Sequence, residues 1–256
     1  MQISTAAKII AKARLDGGKL NDYPCRAPAG TDEAIALQDA VMAEFGGEIA
    51  GWKIGCTNPA AQKALNTDQP FFGPVPTSRL FQTGAEIKIA PNTLGVVEAE
   101  VALKLNRDLP PKPGDYTLSQ VCDAVDCAFP ALELVDRRLP GGLADGVNWN
   151  IADGGLNDAL VLGGGTFDLP LEMLPSLEIT ALINDKIVST GVGENALGGA
   201  QFALQWIANT FSNLGRTLRA GDVITTGLTT DIVTVNPGDL FEAKFSELGS
   251  VRAKFV

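Results

Sequence analysis

Glu98 and Glu100 stand two residues apart in the segment Val96 to Leu105, whose apolar residues fall at every second position. A β-strand sends residues i and i+2 to one face, so the two carboxylates project together. Like charges so placed repel unless water, a proton or a cation lies between them. Two readings follow: a solvated strand face, or part of a metal site. Glu133 adds a third carboxylate, in the run Phe129-Pro-Ala-Leu-Glu-Leu-Val-Asp. That run is expected to be buried as far as Asp136, and a buried carboxylate needs a partner or a proton. Three carboxylates with water make a hard, all-oxygen ligand set, which suits Mg2+ or Mn2+ better than zinc.

Four further residues could join such a site. Lys53, in Ala50-Gly-Trp-Lys-Ile-Gly-Cys-Thr, is flanked by glycines and apolar residues. Desolvation there would lower its pKa into a range useful for proton transfer, while the plainer reading is a lysine snorkelling at a strand end. Asp68, in Asn66-Thr-Asp-Gln-Pro, is either a loop acid at a cavity mouth or a cap on its own backbone. Asp153 precedes Gly154-Gly155, where backbone can approach a ligand closely, and is equally readable as an ordinary turn aspartate. Thr229 closes the string Thr226-Gly-Leu-Thr. Gly163-Gly-Gly165 and Gly191-Val-Gly193 read as turns between strands, and neither has the spacing of a dinucleotide or phosphate loop.

The chain of 256 residues contains no histidine. This removes Ser-His-Asp and Cys-His nucleophilic systems and His-ligated metals together. The net charge of −10, without a basic stripe, opposes nucleic acid or an anionic membrane as partner. An anionic small substrate stays compatible, because a bound dication reverses the local field. The cysteines at 25, 56, 122 and 127 form no C-x-x-C pair. Met1 leads straight into a helix-like segment, so reduced thiols in a cytoplasmic protein are expected. No apolar run is long enough to span a bilayer.

The elements that must position these groups follow from periodicity. Residues 1–50 read as helical, with Thr31 as an N-cap, Asp32 and Glu33 in the first turn, and Gly46-Gly47 as the stop. Beyond Trp52 short β-rich runs dominate, punctuated by Pro and Gly. A hairpin is predicted around Asn184-Asp-Lys and a helix from Ala200 to Leu214, followed by a meander of strands near 223–226, 232–235, 240–245 and 251–255. Many strands with few helices between them oppose a doubly wound parallel sheet.

Six segments, in order, carry a resemblance: Gly51-Trp-Lys-Ile-Gly-Cys-Thr, Phe72-Gly-Pro-Val, Val97-Glu-Ala-Glu-Val-Ala-Leu, Ala131-Leu-Glu-Leu-Val-Asp-Arg-Arg, Asn195-Ala-Leu-Gly-Gly and Leu218-Arg-Ala-Gly-Asp-Val-Ile-Thr-Thr-Gly. The chain resembles the 2-keto-4-pentenoate hydratase / 4-oxalocrotonate decarboxylase branch of the fumarylacetoacetate hydrolase superfamily. The resemblance implies an α+β fold, with a helical cap over 1–70 and a mixed β-roll catalytic domain over 71–256. It implies a homo-oligomer, or a complex with a related decarboxylase or hydratase. It further implies Mg2+ or Mn2+ on Glu98, Glu100 and Glu133, Lys53 near the reacting carbons and the loop of Asp68 lining the pocket, with Lys53 and Asp68 as the catalytic residues that shuttle the proton and Asp153 and Thr229 as substrate contacts. The activity implied is addition of water to a 2-hydroxy-2,4-dienoate or 2-oxo-4-enoate in aromatic catabolism. Decarboxylation of a 2-oxo-3-enedioate is the alternative, and a non-catalytic stabilising subunit is an alternative of another class. Relatives carry an Asn-Ala-Ser-Ser-like string after the residue matching Asp153, where this chain has Gly154-Gly-Leu-Asn. Hydrolases of the superfamily use a histidine for C–C cleavage, and this chain has none.

Overall fold

The computed structural model of the chain describes residues 3–89, 94–141 and 145–256. Two helices, α1 (Ile3–Asp16) and α2 (Thr31–Phe45), precede β1 (Ile49–Gly55), α3 (Pro59–Leu65) and β2 (Phe71–Pro76). Next come β3 (Leu80–Gln82), β4 (Ala85–Ile87), β5 (Val96–Leu105), α4 (Leu118–Cys122), β6 (Val125–Val135), α5 (Val147–Ala152) and β7 (Asn157–Leu162). The last third contains β8 (Glu178–Ile183), β9 (Lys186–Val192), α6 (Ala200–Asn213), β10 (Val223–Leu228), β11 (Val233–Thr234), β12 (Leu240–Phe245) and β13 (Gly249–Phe255).

The described strands form two mixed sheets. One runs β2-β1-β10-β5-β6-β7-β3, with β11 added to β5, and the other runs β4-β13-β12-β8-β9. The α+β class with a rolled mixed sheet thus agrees with expectation. The predicted C-terminal meander is divided: β10 and β11 pair with β5, whereas β12 and β13 belong to the second sheet. Turn signals at Ala220 and Asn236 mark where the chain reverses, and say nothing about which sheet receives the next strand. Gly191 is another correction. It lies inside β9, where its missing side chain leaves room for the Thr229 backbone, and is no turn.

β5 is buried on both faces. Val97, Ala99, Val101, Leu103 and Leu105 enter the main core with α6 and the second sheet. Ala102 on the other face joins a smaller cluster with Val75, Ala131, Leu160 and Val223. Glu98 and Glu100 share the parity of Ala102 and point into that second, enclosed face. Glu100 is wholly buried there and Glu98 half-buried.

The helical layer is anchored to the sheet by polar contacts as well as by its own apolar cluster around Ile10, Leu37, Val41 and Trp149. Buried Gln38 donates to the carbonyls of Phe72 (3.0 Å) and Ile151 (2.7 Å). Arg14 donates to the Asn157 carbonyl at 2.6 Å. Thr31 is the first residue of α2 rather than its cap; Gly30 holds the cap position and no side chain caps the helix. The sheet begins early. β1 already pairs with β2 and β10, so the helical layer gives way by residue 49 and α3 is a short return to helix at the sheet's edge.

Candidate metal centre and active site

The pairing of β5 with β6 sets Glu98 directly opposite Glu133, with Glu100 opposite Ala131 two residues along. Partners across a ladder share a face, so the three carboxylates converge. Suitable oxygens of Glu98, Glu100 and Glu133 all lie within 4.8 Å of one another. Among the described residues they are the one group of three acidic, cysteine or histidine side chains so arranged. Glu100 and Glu133 are wholly buried.

Lys53, on β1, reaches the same face. Its Nζ lies 3.3 Å from Glu133 Oε2 and 5.5 Å from the centroid of the Phe71 ring. Two glycines leave space for it. A Cβ on Gly155 would meet Lys53 Cδ at 3.1 Å, and one on Gly55 would meet Nζ at 3.1 Å.

Backbone and side-chain donors fix individual oxygens. A break in register between Thr225 and Leu228 turns the Gly227 N–H onto Glu100 Oε2 at 2.9 Å. This is a strand irregularity used to aim a donor. Asn157 Nδ2 donates to Glu133 Oε1 at 2.8 Å. Glu100 Oε1 and Glu133 Oε2 are left buried without a hydrogen-bond partner, the latter facing only the Lys53 ammonium.

Three carboxylates and one ammonium sum to a formal charge of −2 (3 × −1, plus 1) in a largely buried site. Burial pushes Glu98 up to about 7, with Lys53 pulling it down and Glu133 pushing it further up. Burial, then Glu133 and Glu98, drive Glu100 well above the ordinary carboxylate range. Such a site calls for protons or for a cation. Its orphaned oxygens, hard ligand set and charge of −2 all fit a divalent ion. Lys53 departs from the expected lowered pKa. Burial does press it down, but Glu133, Glu98 and Glu100 outweigh burial and hold it above its ordinary value.

The linkage gives a direct test on metal-stripped protein. Because Glu98 and Glu100 titrate above 4.5 when folded, the native state holds more protons than the unfolded chain above that pH. Stability then falls as pH rises through about 4.5 to 7 and beyond. Metal-free protein is expected to melt several degrees higher at pH 5.5 than at pH 8, and saturating Mg2+ is expected to abolish the difference. Equal melting points without metal would contradict this electrostatic picture.

The remaining expected site residues are not brought together with these four. Asp68 is exposed and lines a cavity of about 360 Å3 between α2, α5 and α6, walled in part by Phe71, whose ring also lies by Lys53. The chain turns outward at Asn66, whose left-handed backbone (φ 50°) ends α3, and carries Asp68 away before Phe71 returns inward. Asp153 is buried, and its carboxylate is taken up by Arg138, with the backbone N–H and Nε both at 2.8 Å. Both of its carboxylate oxygens thus accept from Arg138. Arg138 Nη2 also donates to the carbonyls of Asp153 and Asn157. Thr229 is wholly buried and donates through Oγ1 to the Ala99 carbonyl at 2.7 Å, tying the end of β10 to β5.

Asn157 went unpredicted. It stands at the end of the loop that departs from the Asn-Ala-Ser-Ser pattern, and its role depends on the β6–β7 register, which no local spacing records. Asn157→Leu should weaken Mn2+ binding roughly 10- to 100-fold by freeing Glu133 to rotate. Calorimetric titration of the metal-stripped variant checks this, and unchanged affinity would remove Asn157 from the site.

A cavity of about 370 Å3 opens beside the triad, with Glu98 in its wall. Ile54, Phe71, Leu65, Leu228 and Ile232 make its sides largely apolar. Residues 48–256 match the model of the fumarylacetoacetate (FAA) hydrolase C-terminal family. The chain belongs to the fumarylacetoacetate hydrolase family. Within it, the chain is 34% identical to 2-keto-4-pentenoate hydratase 1 of Dechloromonas aromatica (strain RCB), covering 100% of this chain and 98% of that protein. It is 28% identical to a 4-oxalocrotonate decarboxylase of Pseudomonas putida, covering 100% and 97%. Among solved structures it superposes on 4-oxalocrotonate decarboxylase from Pseudomonas putida G7, complexed with magnesium and adipate. The TM-score is 0.85 at 25% identity, over 100% of this chain and 97% of that one. The family assignment agrees with the resemblance read from the six segments.

Proposed function

We propose that this protein is a divalent-metal-dependent hydratase that converts a 2-hydroxy-2,4-dienoate and water to a 4-hydroxy-2-oxo acid. The observation that carries the choice is the cavity wall. Its described lining includes Glu98 but no Lys or Arg, and residues 90–93 and 142–144 contain none in sequence either. An enedioate substrate of a decarboxylase would bring a second carboxylate to a far end with no cation to receive it, a costly burial. A monoacid with an apolar end meets no such penalty. The whole-length similarity to a 2-keto-4-pentenoate hydratase supports the same reading.

Glu98, Glu100 and Glu133 would hold the ion, Mg2+ or Mn2+, with Gly227 N–H and Asn157 Nδ2 fixing the oxygens that do not ligate. When bound, the dication supplies Lewis-acid polarisation of the substrate's 2-oxo oxygen. Lys53 moves the protons. The enol proton leaves the 2-hydroxyl while one is added at carbon 5, giving the conjugated 2-oxo-3-enoate. Water oxygen then bonds to carbon 4 as a proton is delivered to carbon 3. Lys53, an ammonium beside Glu133, is the donor for these steps and recovers its proton from the attacking water. Phe71 and Ile54, both buried, give the substrate's reacting carbons an apolar wall.

Purified protein with Mg2+, given 2-hydroxypenta-2,4-dienoate and 2-oxo-3-hexenedioate in separate assays, should hydrate the first and release no CO2 from the second. CO2 release as the dominant activity would make it a decarboxylase. Folded, metal-loaded protein inactive alone on both would make it a stabilising subunit. A homo-oligomer forms part of the proposal: β9 is a sheet edge that leaves Ile187 and Val188 exposed.

A further inference from the structure

The volume and shape of the cavity beside Glu98 exceed what the five-carbon substrate of a pentenoate hydratase needs. That acid has about eight non-hydrogen atoms. Even at roughly 30 Å3 each, the share of a water molecule in the liquid, it fills about 240 Å3. The cavity offers about 370 Å3. The acid leaves part of the cavity unfilled, room for further carbons.

The surplus space has an identifiable origin in α3. Asn58 caps this helix by accepting from Ala61 N–H at 2.9 Å, Pro59 opens it, and left-handed Asn66 closes it. The helix is therefore locally well defined, although none of its residues is buried. Ala61 and Ala64, three apart and so on one side of the helix, both line the cavity. Each ends at Cβ where a larger side chain would fill the space. Ile232 lines the same cavity and is 47% exposed, an apolar side chain left in solvent. Glu98 is the charged residue of the lining and marks the end that receives the polar head.

We infer that this enzyme prefers 2-hydroxy-2,4-dienoates carrying an alkyl extension beyond carbon 5, and that Ala61, Ala64 and Ile232 form the subsite for that tail. The inference rests on the hydratase reading. Each methylene buried there is worth about fourfold in kcat/KM, the equivalent of ~0.8 kcal/mol. Two added carbons are then worth about 15-fold.

The test compares 2-hydroxypenta-2,4-dienoate with 2-hydroxyhepta-2,4-dienoate on the Mg2+-loaded protein and on Ala64→Leu, whose folding is checked by circular dichroism. The expected result is a kcat/KM about 15-fold higher for the seven-carbon acid, with that ratio collapsing towards one in Ala64→Leu. A ratio of one or below in the native protein overturns the inference while leaving the hydratase reading intact. A ratio unchanged by Ala64→Leu removes the subsite from α3 and overturns it as well. Absence of turnover on both acids overturns the hydratase reading itself.

Discussion

Glu100→Gln is expected to lower kcat at least about 1,000-fold, the loss that follows when several kcal/mol of Lewis-acid stabilisation go with the ion. The substitution keeps the shape of a wholly buried side chain and removes its charge. Gly227 N–H can still donate to the amide oxygen, so the β10 irregularity has no reason to collapse. The remaining site, two carboxylates against Lys53, carries a charge of −1 and holds a dication poorly. The same change should stabilise the metal-free protein at pH 8, because it deletes a carboxylate that burial, Glu133 and Glu98 all disfavour in its charged form. Lost turnover together with a higher metal-free Tm distinguishes a ligand from a merely structural residue, whose removal would lower both. Turnover within tenfold of the native protein would take Glu100 out of the metal set.

Lys53→Met should cost roughly 100- to 10,000-fold in kcat, the range for a positioned proton donor. Methionine follows the lysine stem past Gly155 and Gly55 and lacks only the ammonium. The informative part is the sign of the accompanying effect. Lys53 Nζ is 3.3 Å from Glu133 and competes electrostatically with any cation on the triad. Deleting it should tighten dication binding while turnover collapses, the opposite of what every glutamate substitution does. Kinetics and Mn2+ titration on one preparation settle the point, and weakened metal binding in Lys53→Met would show that the lysine supports the site structurally.

Much of this site could be read along the chain, and the reason is the two-residue period of a strand. The alternation from Val96 to Leu105 delimits β5 residue for residue and places Glu98 and Glu100 on one face. Glu133 stood out as a charge in an apolar run. The decisive relation is that Glu98 faces Glu133, which is a register between strands some 35 residues apart, and nothing local encodes it. The same limitation explains Lys53. Its desolvation was legible from its glycine and apolar neighbours, but the direction of its pKa is set by three carboxylates from other strands.

Asp153 and Asp68 illustrate the converse. Each has local sequence suited to a ligand contact, and tertiary structure decides its surroundings, Asp153 against buried Arg138 and Asp68 just past the end of α3 at Asn66. The four terminal strands were located to within a few residues, yet their division between two sheets was hidden, since strands of either sheet carry the same alternating pattern.

Whether Glu98, Glu100 and Glu133 hold one dication is tested by titrating Mn2+ into metal-stripped native protein and Glu133→Gln. The expected result is one ion per chain in the native protein and binding weakened at least about 100-fold in the variant, a loss at the upper end of that for an outer-shell partner. Equal stoichiometry and equal affinity in the two proteins would contradict it.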